Sequence, residues 1–411
     1  MELVGQDVPT TRHAESRAWR LSRLGALLIG GVLTFMIFFD RITGPRAGIA
    51  TDWIAFDNAA DRLWSGETIY RALDTETEPL PYLYPPFTLW LATPLALFGF
   101  VMSWVVSMLA MAVALVVGFA KMLGSGVGHH RGAALAIALS TGSVASSVLI
   151  GQYSGLYVLA VGCAVAAWKE DREGLAGVFL ALLWIKPNLA VAVFVVLAWG
   201  RAWTALRSFT ATAGALVGSS LLLGIELWAG FFENAERMVE LQREGLVPID
   251  KMVTLQATLQ ETSGLSGSAP LLWAVWAVCV GLAGLATLSM WAPLMREQSI
   301  ERSFAVLLCF MVGANPRLYF YDGVLVVAAG LLLVAAREFV VGDRSKKLLA
   351  VFFGVLWIGS WGAVWRELNL VVGPLALTIC LVVAVNARQA SVRNADHVEP
   401  TLAVGELPQA A

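Results

Sequence analysis

Charge is scarce in this chain. Asp, Glu, Lys and Arg make up 14% of its 411 residues, where a soluble domain carries about 25%, so an ordinary soluble globular protein is excluded. A basic excess is lacking too. The 28 Lys and Arg face 30 Asp and Glu for a net charge of -2, and the basic face that a nucleic-acid partner requires is absent. The four histidines, His13, His129, His130 and His397, are not paired at a metal-ligand spacing, and neither a metal nor a cofactor is expected. The four cysteines, Cys163, Cys279, Cys309 and Cys380, fall inside apolar runs, where a thiol is a small buried hydrophobe; no disulfide framework follows.

What is abundant is apolar. Hydrophobic residues make up 58% of the chain and mean hydropathy is +0.72, the balance of an all-α polytopic membrane protein. The N-terminus has Arg12, Arg17, Arg20 and Arg23, with a first apolar run from Leu21 to Phe39. That run is longer than a signal-peptide core and reads as an uncleaved first span. Further runs lie near 86–120, 132–150, 155–168, 174–185, 188–200, 206–228, 270–292, 303–315, 322–336, 347–364 and 370–387. Several fall short of the roughly 20 residues of a straight span, so some helices are expected to be broken or only partly embedded.

Lys and Arg are enriched in cytoplasmic loops, which decides how 86–120 is counted. With a cytoplasmic N-terminus and one net crossing there, most of the 28 basic residues fall inside; two crossings would put most of them outside. The expectation is about twelve spans in a single domain over 21–387, between cytoplasmic tails 1–20 and 388–411, the latter disordered. Segments 40–85 and 229–269 are then outer loops. Four short motifs fall at outer helix ends: "GQYSG" (151–155), "KPN" (186–188), "NPRLYFYDG" (315–323) and "WREL" (365–368).

Within the first outer loop, "TDWIAFDNAADRLWSGETIY" (51–70) reads as a helix from Asp52 to Trp64. Trp53, Phe56, Ala60, Leu63 and Trp64 share one face, with Asp57, Asp61 and Arg62 on the other, the pattern of a helix lying in the membrane interface. Spacing alone makes Asp52 the helix N-cap. "PLPYLYPPF" (79–87) is stiffened by its prolines. It is either a rigid connector or, through Tyr82 and Tyr84, an aromatic wall for a sugar or lipid. Lys186 ends an apolar run just before Pro187, a helix breaker, and must snorkel or face a polar cavity. Gln152, Arg317, Tyr321 and Asp322 also sit where apolar runs end; any one of them is more often an interfacial anchor than a ligand, but with Lys186 five polar sites converge on one membrane face.

The order of "DWIAFDNAADRLWSGETIY", "YLYPPF", "GQYSGL", "GVFLALLWIKPNLAV" and "NPRLYFYD" resembles glycosyltransferase family 87, whose members include mycobacterial polyprenyl-phosphate-dependent mannosyltransferases. The resemblance covers roughly residues 50–330. It implies a GT-C-like fold with interfacial helices in the first outer loop, in the inner (plasma) membrane. The active site would face outward and use a polyprenyl-phosphate sugar donor, a lipid or glycan acceptor and no metal. The family's acidic residue, in a D-[FWL]-x-x-[YF] pattern after the first span, maps onto Asp52, with Phe56 as the aromatic. The resemblance thus turns Asp52 from a cap into the catalytic base. The mycobacterial relatives carry histidines after a Ser-Pro; this chain has Asn315-Pro316 and then Tyr321-Asp322, more like proteobacterial members.

The chemistry fits these residue types. An outer carboxylate can draw the proton from an acceptor hydroxyl, and Lys186 and Arg317 can meet a lipid phosphate without a metal. Asp57, Tyr82, Tyr84, Gln152, Asn188, Tyr321 and Asp322 are the candidates to hold sugar or acceptor, whereas Arg243, in the second outer loop, is expected to matter less. Mannose is the first expectation for the sugar, with inversion in one displacement. A lipid-linked sugar flippase would show internal repeats and polar groups at the midplane, and no clear repeat is present. An O-antigen ligase or polymerase shares the outer Arg and Tyr but not the early Asp with a Tyr-Pro-Pro segment.

Overall fold

The computed structural model describes residues 24–25, 27–36, 50–71, 81–124, 131–296, 300–336, 354, 357–359 and 369–396. The 1–20 tail, residues 72–80, the "WREL" motif and nearly all of 347–364 lie outside the described residues. Among the described residues the regular structure is helical, and the single β-type contact is an isolated bridge between Met252 and Tyr319. In chain order the helices are α1 (Leu27–Met36), α2 (Thr51–Ser65), α3 (Leu89–Ala96), α4 (Phe100–Leu123), α5 (Arg131–Leu139), α6 (Gly142–Ile150), α7 (Ser154–Lys169) and α8 (Glu173–Ala181). They continue as α9 (Pro187–Trp199), α10 (Trp203–Ser220), α11 (Glu226–Arg243), α12 (Leu255–Ser263), α13 (Pro270–Arg296), α14 (Ile300–Ala314), α15 (Val324–Ala335) and α16 (Asn369–Asp396).

Residues 86–120 form one long helix preceded by a short one. The chain turns at Gly99 (φ 73°), between the 8-residue α3, which contains Pro94, and the 24-residue α4. At about 1.5 Å per residue only α4 is long enough to cross a bilayer core of roughly 30 Å. Three helical stretches meet that requirement, Phe100–Leu123, Trp203–Leu223 and Pro270–Ser289, or four if α5 and α6, bent by 56° at their break, count as one span. Six shorter apolar helices of 10–17 residues accompany them. Against the expected twelve or so spans, some of them broken, the described residues present these helices, with breaks at residues 140–141, inside the 132–150 run, and at Pro187, between two runs. α16 continues past 387 to Asp396.

The core is assembled by close helix contacts. A Cβ on Gly118 of α4 would meet the Val158 backbone of α7 at 2.6 Å, and one on Gly155 of α7 would meet the Met111 backbone at the same distance. Small residues let two helix backbones approach where lipid offers no hydrophobic drive. Accordingly α7 is buried on most sides, with Tyr157, Val158, Val161 and Val165 at 1% exposure or less. A helix apolar all round belongs in the interior, and α7 occupies it between α4, α8, α14 and α15.

α2 forms nearly where expected, but its apolar face meets protein. Trp53, Phe56, Ala59 and Ala60 are all fully buried, Phe56 against Tyr82, Tyr84 and Tyr153, and only Trp64 of the expected stripe is well exposed. The amphipathic pattern was sound; the α3, α4 and 81–88 segments cover the face assigned to lipid. The N-cap is Ala50, in the left-handed region (φ 62°) with its N–H on the Leu149 carbonyl at 3.0 Å. Asp52 sits inside the first turn and is not the cap.

Candidate active site

Asp52 is turned toward the α6–α7 junction, where Gln152 donates its side-chain amide to Asp52 Oδ2. The Gln152 carbonyl in turn accepts the Tyr84 hydroxyl at 2.5 Å, so both ends of the amide are engaged and its orientation is fixed. The turn that presents Gln152 depends on Gly151. Its φ is 84°, and a Cβ there would lie 2.6 Å from the Trp53 Cβ, so a side chain is excluded both by conformation and by α2. The "GQYSG" motif thus brings a glutamine against the α2 carboxylate, and the proline-rich segment brings a tyrosine behind it.

Asp322 forms the second part. The 310 turn Phe320–Gly323 begins beyond Tyr319, and Asp322 Oδ2 accepts the Tyr319 backbone N–H at 2.9 Å and the Lys186 ammonium at 2.5 Å. Asp322 is completely buried and Lys186 nearly so, at 0% and 16% side-chain exposure. Lys186 also lies over the Tyr321 ring, 5.4 Å from its centroid. Lys186 is held at the break between the 310 turn Leu182–Ile185 and α9, whose first residue is Pro187. The field at Tyr319 ties the two parts together. Burial pushes its hydroxyl up to about 12, Arg317 opposes the shift, and Asp52 and then Asp322 add to it.

Arg317 marks the third part. Its Nε donates to Gln242 of α11, while Asn315 accepts both the Arg317 backbone N–H at 2.9 Å and the Asn188 side-chain amide at 3.1 Å. Burial pulls the Arg317 guanidinium below its ordinary value, against a smaller opposing effect of Tyr319. These residues, with Arg243 and Trp273, line a cavity of about 570 Å³ whose lining includes two arginines and no carboxylate. A second cavity of about 440 Å³ shares Asn188, Asn315 and Pro316 with it and continues between α9, α13 and α14 over Val191, Val195, Leu288, Phe310 and Met311. A cationic chamber therefore adjoins an apolar one. Such a pair suits an amphiphile with an anionic end.

The family model for glycosyltransferase family 87 matches residues 82–316, more than half of the chain. The chain belongs to glycosyltransferase family 87. No curated protein and no solved structure is a match for it. As a family 87 member the chain is a glycosyltransferase, with a donor and an acceptor to bind, and its apolar helices make it a membrane protein.

In this family 87 chain the residues singled out by sequence fall into three groups. Asp52, Gln152 and Tyr84 make one hydrogen-bonded set; Lys186, Tyr321 and Asp322 make a second; Asn188 and Arg317 meet at Asn315. Two stand apart. Asp57 accepts from Ser103 of α4 at 3.1 Å, its pKa raised by burial and by Asp61 against that hydrogen bond. Tyr82 is 2% exposed, with its hydroxyl on Thr88 and its ring against those of Phe56 and Tyr84. Sequence reasoning missed Gln242 and Trp273, and it set Arg243 aside although Arg243 lines the same cavity as Arg317. The available signal was the polar end of α11, "ELQR" at 240–243. Among the described residues no three His, Cys, Asp or Glu side chains gather as metal ligands.

Proposed function

We propose that this glycosyltransferase moves a sugar, mannose foremost, from a polyprenyl-phosphate donor to a lipid or glycan acceptor, with its site on the extracytoplasmic face of the plasma membrane. The supporting observation is the junction of the two cavities. An apolar chamber meets one with two arginines at Asn188, Asn315 and Pro316. A prenyl chain suits the first chamber and its phosphate the second.

In this mechanism the acceptor hydroxyl oxygen attacks the anomeric carbon and the bond from that carbon to the phosphate oxygen breaks. The hydroxyl proton passes to Asp52, which Gln152 and Tyr84 hold in place, and the prenyl phosphate departs with its charge met by Arg317 and Arg243. The phosphate role given to Lys186 by sequence moves to Arg243, because Asp322 already takes the lysine charge; the Lys186–Asp322 pair instead fixes the wall carrying Tyr319 and Tyr321. One displacement inverts the anomeric centre. Nuclear magnetic resonance of the product is expected to show the anomer opposite to that of the donor; retention would contradict single displacement with Asp52 as base.

A further inference from the structure

Arg317 is held by a neutral residue where a carboxylate would be the ordinary partner. Gln242 is 3% exposed and accepts Arg317 Nε. A guanidinium has donors only, so Gln242 must present its oxygen to Arg317 and its amide the other way. That amide donates to Gln256 at 3.4 Å, and the Gln256 amide donates to Gln260 at 3.1 Å. Gln256 and Gln260, both on α12, are 0% and 8% exposed. Each step forces the orientation of the next. Three amide dipoles thus run head to tail from α12 to α11 with their oxygen ends toward the guanidinium.

Resting on the reading of the Arg317 cavity as the place of the donor phosphate, we infer that Gln242 is a positioning residue that steadies Arg317 without neutralising it. Aligned amide dipoles stabilise a half-buried cation and fix its Nε edge, yet leave its full charge for an anion in the cavity. A glutamate of the same length would bind Arg317 more strongly. It would also cancel the charge the ligand needs and place a like charge beside the incoming phosphate.

The test uses the full chain in detergent micelles, with farnesyl phosphate and farnesol as probes. Wild type is expected to prefer farnesyl phosphate. Gln242→Glu should weaken farnesyl phosphate binding by about tenfold or more, a change of about 1.4 kcal/mol, while leaving farnesol binding near wild type. Gln242→Met, which removes the oxygen that steadies Arg317 without adding charge, should cost about threefold on the same scale, a smaller loss than Gln242→Glu. If Gln242→Glu does not fold, Gln256→Glu puts the charge one link further away and should give a smaller loss with the same phosphate selectivity. Undiminished farnesyl phosphate binding by Gln242→Glu, or an equal loss in Gln242→Met, would overturn the claim that Gln242 matters by being neutral, and wild-type binding by Gln242→Met would overturn its positioning role. Undiminished phosphate preference in Arg317→Gln would overturn the cavity reading itself, a distinguishable result.

Discussion

Asp52→Asn is expected to lower turnover by about 10²–10⁴-fold, the usual worth of a general base. Asparagine keeps the size of the side chain and can still accept from Gln152, so α2 and its contacts should survive while the proton acceptor is lost. Asp57→Asn is the control. It lies on the same helix, but about 140° around it, and addresses Ser103, so its effect on turnover should be far smaller. Turnover assays on correctly inserted protein check both. Near-normal turnover in Asp52→Asn would remove the base from this site.

Lys186→Ala is expected to destabilise the protein by about 3–5 kcal/mol, because it strands a completely buried carboxylate without its cation. Asp322 keeps only the Tyr319 N–H on its Oδ2, which does not balance a charge. Combining Lys186→Ala with Asp322→Asn removes both charges and should restore most of the loss. Thermal melting of the two variants reads the difference. A Lys186→Ala protein that melts like wild type and loses donor affinity alone would return Lys186 to the donor phosphate.

How much of this was legible in the sequence follows from the range of each interaction. The α2 helix was readable because its apolar residues repeat within one turn, and the break at Pro187 because proline acts on its own neighbours. What covers the α2 face was not. A stripe of Trp and Phe looks the same whether lipid or Tyr82, Tyr84 and Tyr153 complete it. Lys186 read as a cation in search of an anion because its partner, Asp322, is 136 residues away. Gln242 was invisible for a related reason: a glutamine at the end of an exposed helix is unremarkable until Arg317, 75 residues on, folds against it. How many spans are full-length was not legible, because hydropathy registers an apolar run whether or not the helix is continuous. The α5–α6 pair bends by 56° within one such run.

The central claim concerns the donor. Purified protein supplied with mannosyl-phosphate carried on a polyprenyl chain should transfer the sugar to acceptor and release polyprenyl phosphate, and a nucleotide-linked mannose should give no transfer. Efficient transfer from the nucleotide sugar, with no response to the prenyl-phosphate donor, would contradict the account.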